Sequence, residues 1–206
     1  MTFYKNRIYP FLVNKFGNPS PIKEIRKKII PLAYGNVLEI GVGTDANFSY
    51  YDSTKVNKLY ALEPNKGMIQ IAESLLQGMK LNFEFLDLPG EQIPLNDETI
   101  DTVVSTFTLC TIAALDDALQ NIKRVLKPDG KLIFFEIGLA PDAKVRRWQK
   151  IFNPIAHRAY QGLSLTRDIP SILVQNGFKP EQMEKGYIAK FPKSWTYCFW
   201  GNAIRA

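Results

Sequence analysis

The sequence has no uninterrupted run of about 18 apolar residues, so no segment is predicted to span a bilayer as a helix. The N-terminus begins Met-Thr-Phe-Tyr-Lys and has no apolar signal core, which argues against secretion. The only cysteines, Cys110 and Cys198, do not have the spacing of metal ligands. These absences predict a cytoplasmic protein with two free thiols and no metal site.

Acidic residues are scarce in the first 30 residues, which hold one glutamate and seven basic side chains. The rest of the chain is electrically balanced, so this segment accounts for the whole net charge of +6. Aromatic residues lie between the basic ones, and two interpretations stay open. The segment contacts an anionic membrane, such as the inner membrane face, or it is a solvated helical face whose apolar side packs on the domain. The basic residues are Lys5, Arg7, Lys15, Lys23, Arg26, Lys27 and Lys28.

Strand-like apolar runs alternate with helical patterns after residue 35. Strands are predicted at residues 36–40, 59–63, 81–86, 100–105 and 131–137, and helices at 66–77 and 115–126. A further helix is predicted over residues 142–158, interrupted near Pro154. This alternation is typical of parallel β-α-β units with helices on both faces of the sheet. Lys127-Pro128-Asp129-Gly130 has the composition of a turn. The length of 206 residues, without a repeat or a low-complexity linker, predicts one domain over residues 1–206.

The first predicted strand carries Glu39 near its end and stops in the turn Gly41-Val42-Gly43. The second predicted strand ends in Glu63. Glycines let a backbone approach a nucleotide, and an acid at the tip of the second strand can accept both ribose hydroxyls. A dinucleotide site has a third glycine, where this chain has Ala46, and it does not need Glu39. The pattern therefore favours a ligand with a positive charge and an amino-acid head.

Five segments in order resemble class I S-adenosylmethionine-dependent methyltransferases over nearly the whole length. They are residues 37–44, 61–64, 88–95, 100–105 and 124–130. The chain is further similar to the methyltransferase type 11 or thiol S-methyltransferase branch, through residues 43–48, Leu109-Cys110, Trp148-Gln149, residues 165–167 and Trp200-Gly201. The animal members of that branch have a hydrophobic N-terminal anchor that this chain lacks, so their membrane attachment is not carried over.

The resemblance implies an α/β fold: a single doubly wound, mostly parallel, Rossmann-like sheet of seven strands, with helices on both faces and an antiparallel last strand. It implies that S-adenosylmethionine is the cofactor and S-adenosylhomocysteine the product. Residues 1–35 would form a basic helical lid and residues 139–176 a helical substrate cap. The partner would be a small-molecule acceptor rather than nucleic acid, because no basic stripe lies near the cofactor loops.

The cofactor residues that the resemblance implies fall into four groups. The glycine turn would border the methionyl and ribose parts, and Glu39 would order the amino-group side. Glu63 would hold the ribose, and the 88–95 loop would meet the adenine through backbone. Residues just after the fourth strand would contact the activated methyl group. The set is Glu39, Gly41, Gly43, Thr44, Asn47, Glu63, Pro64, Met68, Gly90, Glu91, Thr106 and Phe107.

Two positions depart from the family pattern. Asp45 stands where the family has its third glycine, and its charge would repel the cofactor carboxylate unless the side chain points outward as a helix cap. Pro89 replaces a common acid of the adenine loop. No catalytic base is predicted, since His157 lies in the predicted cap and Cys110 is interpreted as a packing residue.

Three functions stay open on these grounds. The first is methyl transfer to a small, apolar thiol, hydroxyl or amine by in-line displacement. The second is methylation of a phospholipid head group, suggested by the basic N-terminus. The third is non-catalytic binding of an adenosyl ligand, if Asp45 prevents productive cofactor binding.

Overall fold

The computed structural model describes residues 4–44, 46–76 and 80–206. Their framework is a seven-stranded sheet in the spatial order β3-β2-β1-β4-β5-β7-β6. The strands are β1 (Gly35–Ile40), β2 (Val56–Leu62), β3 (Phe83–Leu86), β4 (Ile100–Thr106), β5 (Leu126–Ile137), β6 (Phe178–Tyr187) and β7 (Tyr197–Arg205).

Strands β1 to β5 pair in parallel, whereas β7 is antiparallel to both β5 and β6. The predicted doubly wound, mostly parallel sheet with an antiparallel last strand is therefore confirmed. The chain runs outward from β1 through β2 to β3 and then returns to place β4 on the other side of β1. The carboxyl ends of β1 and β4 thus form a topological switch point, where ligands of open α/β sheets bind.

Six α-helices accompany the sheet in the described part of the chain. They are α1 (Tyr9–Phe16), α2 (Ser20–Ile29), α3 (Lys66–Leu75), α4 (Leu115–Val125), α5 (Ala143–Ala159) and α6 (Ile169–Gln175). Shorter helical turns occupy Tyr4–Ile8, Ile30–Leu32, Phe48–Tyr50 and Lys193–Trp195. No helix of the described ranges is long and apolar enough to cross a membrane.

Helices cover both faces of the sheet because each has one apolar side. Helix α4 buries Leu115, Leu119 and Ile122 at helical spacing and packs with α6 against one face. Ile29 of α2 and Ala72 of α3 pack against the other face. A third, smaller cluster around Cys110 and Ala156 lies beneath α5.

Two local predictions were wrong. Lys127-Pro128-Asp129-Gly130 was predicted as a turn between helix and strand, but β5 already begins at Leu126, which pairs with Ile100. The next pairs join Thr102 to Lys131, so the turn-forming residues bulge within β5 rather than precede it. Pro154 does not interrupt α5, which runs unbroken from Ala143 to Ala159.

Candidate functional site

The glycine turn after β1 lies at the switch point. Gly41 and Gly43 have φ values of 69° and 61°, in the left-handed region that favours glycine. A Cβ on Gly41 would come within 2.2 Å of the Thr108 hydroxyl oxygen, whereas a Cβ on Gly43 would meet nothing within 4 Å. The backbone of Gly43 therefore borders open space that a ligand can approach closely.

The turn is tied to the end of β2. The Gly41 N–H donates to the Leu62 carbonyl at 2.8 Å, and the Gly43 N–H donates to Glu63 Oε2 at 2.9 Å. Glu63 Oε1 accepts from the Asn65 N–H, also at 2.9 Å. Only 7% of Glu63 is exposed, and its burial raises the pKa of this carboxyl, although both N–H bonds oppose that rise. The acid that the sequence predicts as the ribose acceptor thus lies directly beside the glycine turn.

A hydrogen-bonded network lies behind the turn and joins β1 to the end of β4. Glu39 Oε1 accepts from Asn47 Nδ2 at 2.6 Å, and Glu39 Oε2 accepts from the Tyr51 hydroxyl at 2.7 Å. Asn47 Nδ2 also donates to Thr106 Oγ1 at 3.0 Å. Burial, with the nearby Glu39 charge, raises the pKa of Tyr51 well above its usual range, so its hydroxyl remains a donor.

Arg26, which is not among the predicted site residues, enters this network from helix α2. Its Nη1 donates to Asn47 Oδ1 and, at 2.9 Å, to Thr106 Oγ1. The guanidinium carbon lies 5.6 Å from the centre of the Phe107 ring. Only 4% of Arg26 is exposed, and its buried Nε has no hydrogen-bond partner among the described residues. Burial lowers the pKa of this guanidinium, an effect that the Glu39 charge opposes.

The sequence does contain a signal for Arg26. Ile22, Arg26 and Ile29 are spaced i, i+4 and i+7, so Arg26 shares the inward face of α2 with the isoleucines. The other basic residues of this helix, Lys23, Lys27 and Lys28, are exposed. A basic residue on the apolar stripe of a helix therefore indicates a buried cation with a specific role.

The loop after β4 is held from two sides. Glu136, fully buried on β5, accepts hydrogen bonds from the Ser105 hydroxyl at 2.8 Å and from three backbone N–H groups at 3.1 Å. Those N–H groups belong to Thr108, Leu109 and Cys110. On the other side, the Arg167 guanidinium donates to the carbonyl oxygens of Leu109 and Ile112. Phe107, at the start of the loop, has a left-handed φ of 56°.

The predicted adenine loop also lies at this edge of the sheet. A Cβ on Gly90 would meet Ile112 at 2.9 Å and Ile40, the last residue of β1, at 3.1 Å. The backbone carbonyl of Glu91 accepts from Asn121 at 3.2 Å, which ties the loop to α4. Met68 is buried in the first turn of α3, whereas Pro64 is exposed.

The N-terminal helical segments cover this edge. Residues Tyr4–Ile8 and helix α1 contact α3, and the Tyr4 hydroxyl donates to the Ala159 carbonyl at the end of α5 at 3.2 Å. Burial raises the pKa of Tyr9 to about 12, and the neighbouring Cys110 and Glu63 add to this rise. Residues 4–16 thus lie between α3 and α5, across the ends of the central strands.

The structure therefore brings together the predicted residues of the glycine turn, β2 end, adenine loop and β4 end. Thr44 is also buried beside the turn. Asp45, whose effect on a cofactor the sequence left open, lies outside the described residues. Cys110 is fully buried and unpaired with another cysteine, as expected for a packing residue, and His157 is exposed on α5.

Residues 38–134 match the family model Methyltransf_11, described as a methyltransferase domain. The chain carries a methyltransferase domain. A structure described as a SAM-dependent methyltransferase from Aquifex aeolicus shares its fold. That likeness has a TM-score of 0.68 at 23% identity and covers 96% of this chain and 98% of the other. A Thermotoga maritima SAM-dependent methyltransferase gives a TM-score of 0.66 at 17% identity, covering 97% and 99% of the two chains.

Relatives of the methyltransferase domain include two human thiol S-methyltransferases. The chain is 33% identical to TMT1B over 153 residues and 29% identical to TMT1A over 164 residues. These matches cover 72% and 78% of this chain, but only 62% and 65% of the relatives. The chain therefore spans a little over three fifths of the length of these relatives.

The contacts of Glu136 with the post-β4 loop lead to a stability prediction for the methyltransferase domain. In Glu136→Gln an amide N–H₂ replaces one carboxylate oxygen and faces backbone N–H donors, so buried donors lose their acceptor. We expect a loss of about 1–3 kcal/mol, seen as a fall in melting temperature of about 3–10 °C. The exposed Glu73→Gln on α3 is the matched control and should melt like the wild type. Equal melting of both variants would show that the carboxylate does not stabilise the loop.

Proposed function

We propose that this chain is an S-adenosylmethionine-dependent methyltransferase acting on a small, apolar acceptor, and that the preferred nucleophile is a thiol. The observation that carries the proposal is the position of Phe107. Its ring lies beside the Arg26 guanidinium in the polar network, and it also lines an apolar cavity. The first residue after β4 therefore lies between a buried polar network and an apolar cavity, as methyl transfer between a polar cofactor and an apolar acceptor requires.

The residues at the switch point fit the proposed cofactor. Glu63 has two carboxylate oxygens beside Gly43, whose open side leaves room for a ligand close to the backbone. Arg26 offers a buried cation with an Nε donor that lacks a partner among the described residues, and this suits the cofactor's carboxylate. When bound, S-adenosylmethionine supplies an electrophilic methyl group on a positively charged sulfur. In this proposal Glu63 holds the ribose and Arg26 the carboxylate.

The acceptor would occupy the cavity beside Phe107. This cavity has a volume of about 90 Å³ and is lined by Ile22, Phe107, Ile137, Ile188, Phe191, Trp195, Thr196 and Cys198. That volume corresponds to about three water molecules in the liquid, so it suits a small alkyl group. The apolar lining favours such a group over a charged phospholipid head group.

The lining also supports the choice of a thiol. Among the described residues, none that lines the cavity carries a carboxylate or an imidazole, and burial strongly raises the pKa of the Cys198 thiol, so Cys198 remains protonated. A thiol, with an ordinary pKa of about 8.5, is partly ionised near neutral pH and is intrinsically nucleophilic, so it needs little help from a base. The protein then contributes by aligning the acceptor and excluding water. The name of the human relatives, thiol S-methyltransferases, agrees with this acceptor class.

The N-terminal segments would serve as a lid over the cofactor site and the acceptor cavity. Residues Tyr4–Ile8 and α1 reach from α3 to the end of α5, and α2 inserts Arg26 into the polar network. Cofactor binding and the docking of these helices would therefore stabilise each other, because the same guanidinium takes part in both.

A panel of matched acceptors tests the acceptor class. 1-Propanethiol, 1-propanol and 1-propylamine share one small apolar body and differ in the nucleophilic atom. With labelled S-adenosylmethionine, we expect methyl transfer to the thiol at least a hundredfold faster than to the other two. Faster transfer to the alcohol or the amine would contradict the thiol assignment. Cofactor binding without transfer to any acceptor would favour a non-catalytic binding protein.

The burial of Glu63 leads to a prediction on pH. Its carboxylate must be ionised to accept from both ribose hydroxyls, and burial raises its pKa above the ordinary value of 4.5. Affinity for S-adenosylhomocysteine should therefore be present above that raised pKa and should fall as the pH drops through it. Calorimetric titration across mildly acidic pH measures this decline. It should be absent in Glu63→Gln, which has no proton to gain at this position.

A further inference from the structure

Helix α5 exposes three large apolar side chains to solvent. Trp148, Ile151 and Ile155 are 53%, 52% and 58% exposed. Their spacing of i, i+3 and i+7 places them on one face, separate from the buried Gln149 and Ala156. We call the three residues the outer face of α5. Contiguous exposed apolar groups of this kind mark a surface that another body covers.

The charge of the same helix indicates what covers this apolar surface. Helix α5 has no acidic residue and carries five lysines or arginines, none of which forms a salt bridge among the described residues. Lys144, Arg147 and Arg158 are exposed; on the helical wheel Lys144 lies within the outer face, and Arg147 and Arg158 border one side of it. Helices that lie in the plane of an anionic lipid surface combine apolar and indole side chains with cations that form no salt bridge.

The N-terminal turn extends this surface. The Tyr4 hydroxyl binds the carbonyl of Ala159 at the end of α5, so residues Tyr4–Ile8 lie against that end of the helix. Tyr4 and Ile8 expose 39% and 41% of their surface, and Arg7 is also exposed. A tyrosine, an aliphatic residue and a cation thus continue the pattern of the outer face.

We propose that the outer face of α5, together with the turn Tyr4–Ile8, docks on an anionic lipid membrane. A 17-residue helix is about 25 Å long, so it provides an extended contact parallel to the membrane. A second copy of this chain is a poorer occupant, because a symmetric contact would bring the unpaired cations of two α5 helices together.

Docking in this orientation would place the acceptor cavity near the lipid. Phe152 packs on Trp148 with ring centres 5.6 Å apart and on Trp195, which lines the cavity, at 6.2 Å. A chain of aromatic side chains therefore connects the docking face to the proposed acceptor site. An apolar acceptor that partitions into the bilayer would be concentrated beside that site. The docking itself needs neither cofactor nor acceptor, so it is tested separately from the proposed function.

Vesicle co-sedimentation of the full chain tests the docking. Vesicles of phosphatidylcholine alone are compared with vesicles containing about a third phosphatidylserine. We expect at least tenfold stronger binding to the anionic vesicles, and weaker binding in high salt. Equal binding to both compositions, or no binding to either, would overturn the proposal.

Two variants distinguish binding through this surface from binding through basic charge elsewhere on the protein. The triple change Lys144→Gln, Arg147→Gln and Arg158→Gln should reduce binding to anionic vesicles at least tenfold. A matched control, Lys55→Gln with Lys58→Gln and Lys66→Gln, removes three charges from other elements and should bind like the wild type. Equal losses in the two triple variants would contradict docking through α5.

A second measurement reports the apolar contact directly. Anionic vesicles should shift the tryptophan emission to shorter wavelength, and Trp148→Phe should abolish most of this shift while leaving binding nearly intact. An unchanged shift in Trp148→Phe would show that the indole does not enter the lipid. The proposal would also be overturned if the wild type dimerised without binding vesicles and a variant with Ile151→Ser and Ile155→Ser lost this dimerisation. The outer face of α5 would then contact a second copy of the chain.

Discussion

Glu63→Gln should lower the affinity for S-adenosylhomocysteine by about a hundredfold or more. In the proposed complex the Glu63 carboxylate accepts from both ribose hydroxyls, and a hydrogen bond to a charged group contributes about 1.5–3 kcal/mol. Since 1.4 kcal/mol corresponds to a factor of ten, loss of the charge at two bonds gives an effect of this size. The amide would also present a donor to one of the two N–H groups, that of Gly43 or that of Asn65, each of which has a carboxylate oxygen as its acceptor in the wild type. Calorimetric titration measures the difference.

The control for Glu63→Gln is Glu84→Gln, which removes the same charge from an exposed position on β3. It should bind S-adenosylhomocysteine as the wild type does. Thermal unfolding of both variants checks that the fold is retained. An affinity in Glu63→Gln within threefold of the wild type would contradict the role of this residue as the ribose acceptor.

Arg26→Gln should weaken S-adenosylhomocysteine binding by about ten- to a hundredfold, because it removes the buried cation that would face the cofactor's carboxylate. The effect should depend on the ligand. 5′-Methylthioadenosine has the adenosyl part but no carboxylate, so its affinity should change less than threefold. Titration of both ligands into both proteins isolates the contribution of the carboxylate as a double difference.

Lys23→Gln is the matched control for Arg26→Gln, since it removes an exposed cation from the same helix. It should leave both affinities unchanged. If Arg26→Gln lowers the affinities for the two ligands equally, Arg26 acts only by supporting the fold around Asn47 and Thr106. The wild type must bind S-adenosylhomocysteine for this comparison, so failure of the proposed function is recognised independently.

The sequence was sufficient to predict the sheet and the position of the glycine turn. Glu39 and Glu63 were predictable because a single acid at the end of an apolar strand has few structural reasons to be there. Glycines 41 and 43 were predictable because a left-handed turn at a strand end requires them. Such local signals identify the parts of the site that lie on consecutive β-α-β units.

The contributions of distant segments could not be predicted in the same way. Arg26 reaches Thr106 across 80 residues of sequence, and Glu136 binds loop residues more than 25 positions away. In the sequence, Arg26 is one of several cations of the N-terminal segment, and only its place between Ile22 and Ile29 on the apolar face of the helix distinguishes it. The bulge in β5 also depends on pairing with β4, which the turn-forming composition of Lys127–Gly130 does not reveal.

The most direct test of the central claim is calorimetric titration of the full chain with S-adenosylhomocysteine, with NADH as the control ligand. A crevice built from Glu63, the glycine turn and Arg26 should bind the adenosyl compound with micromolar affinity and one site per chain, and should not bind NADH. Absence of S-adenosylhomocysteine binding by folded protein, or equal binding of NADH, would contradict the assignment of this crevice to S-adenosylmethionine.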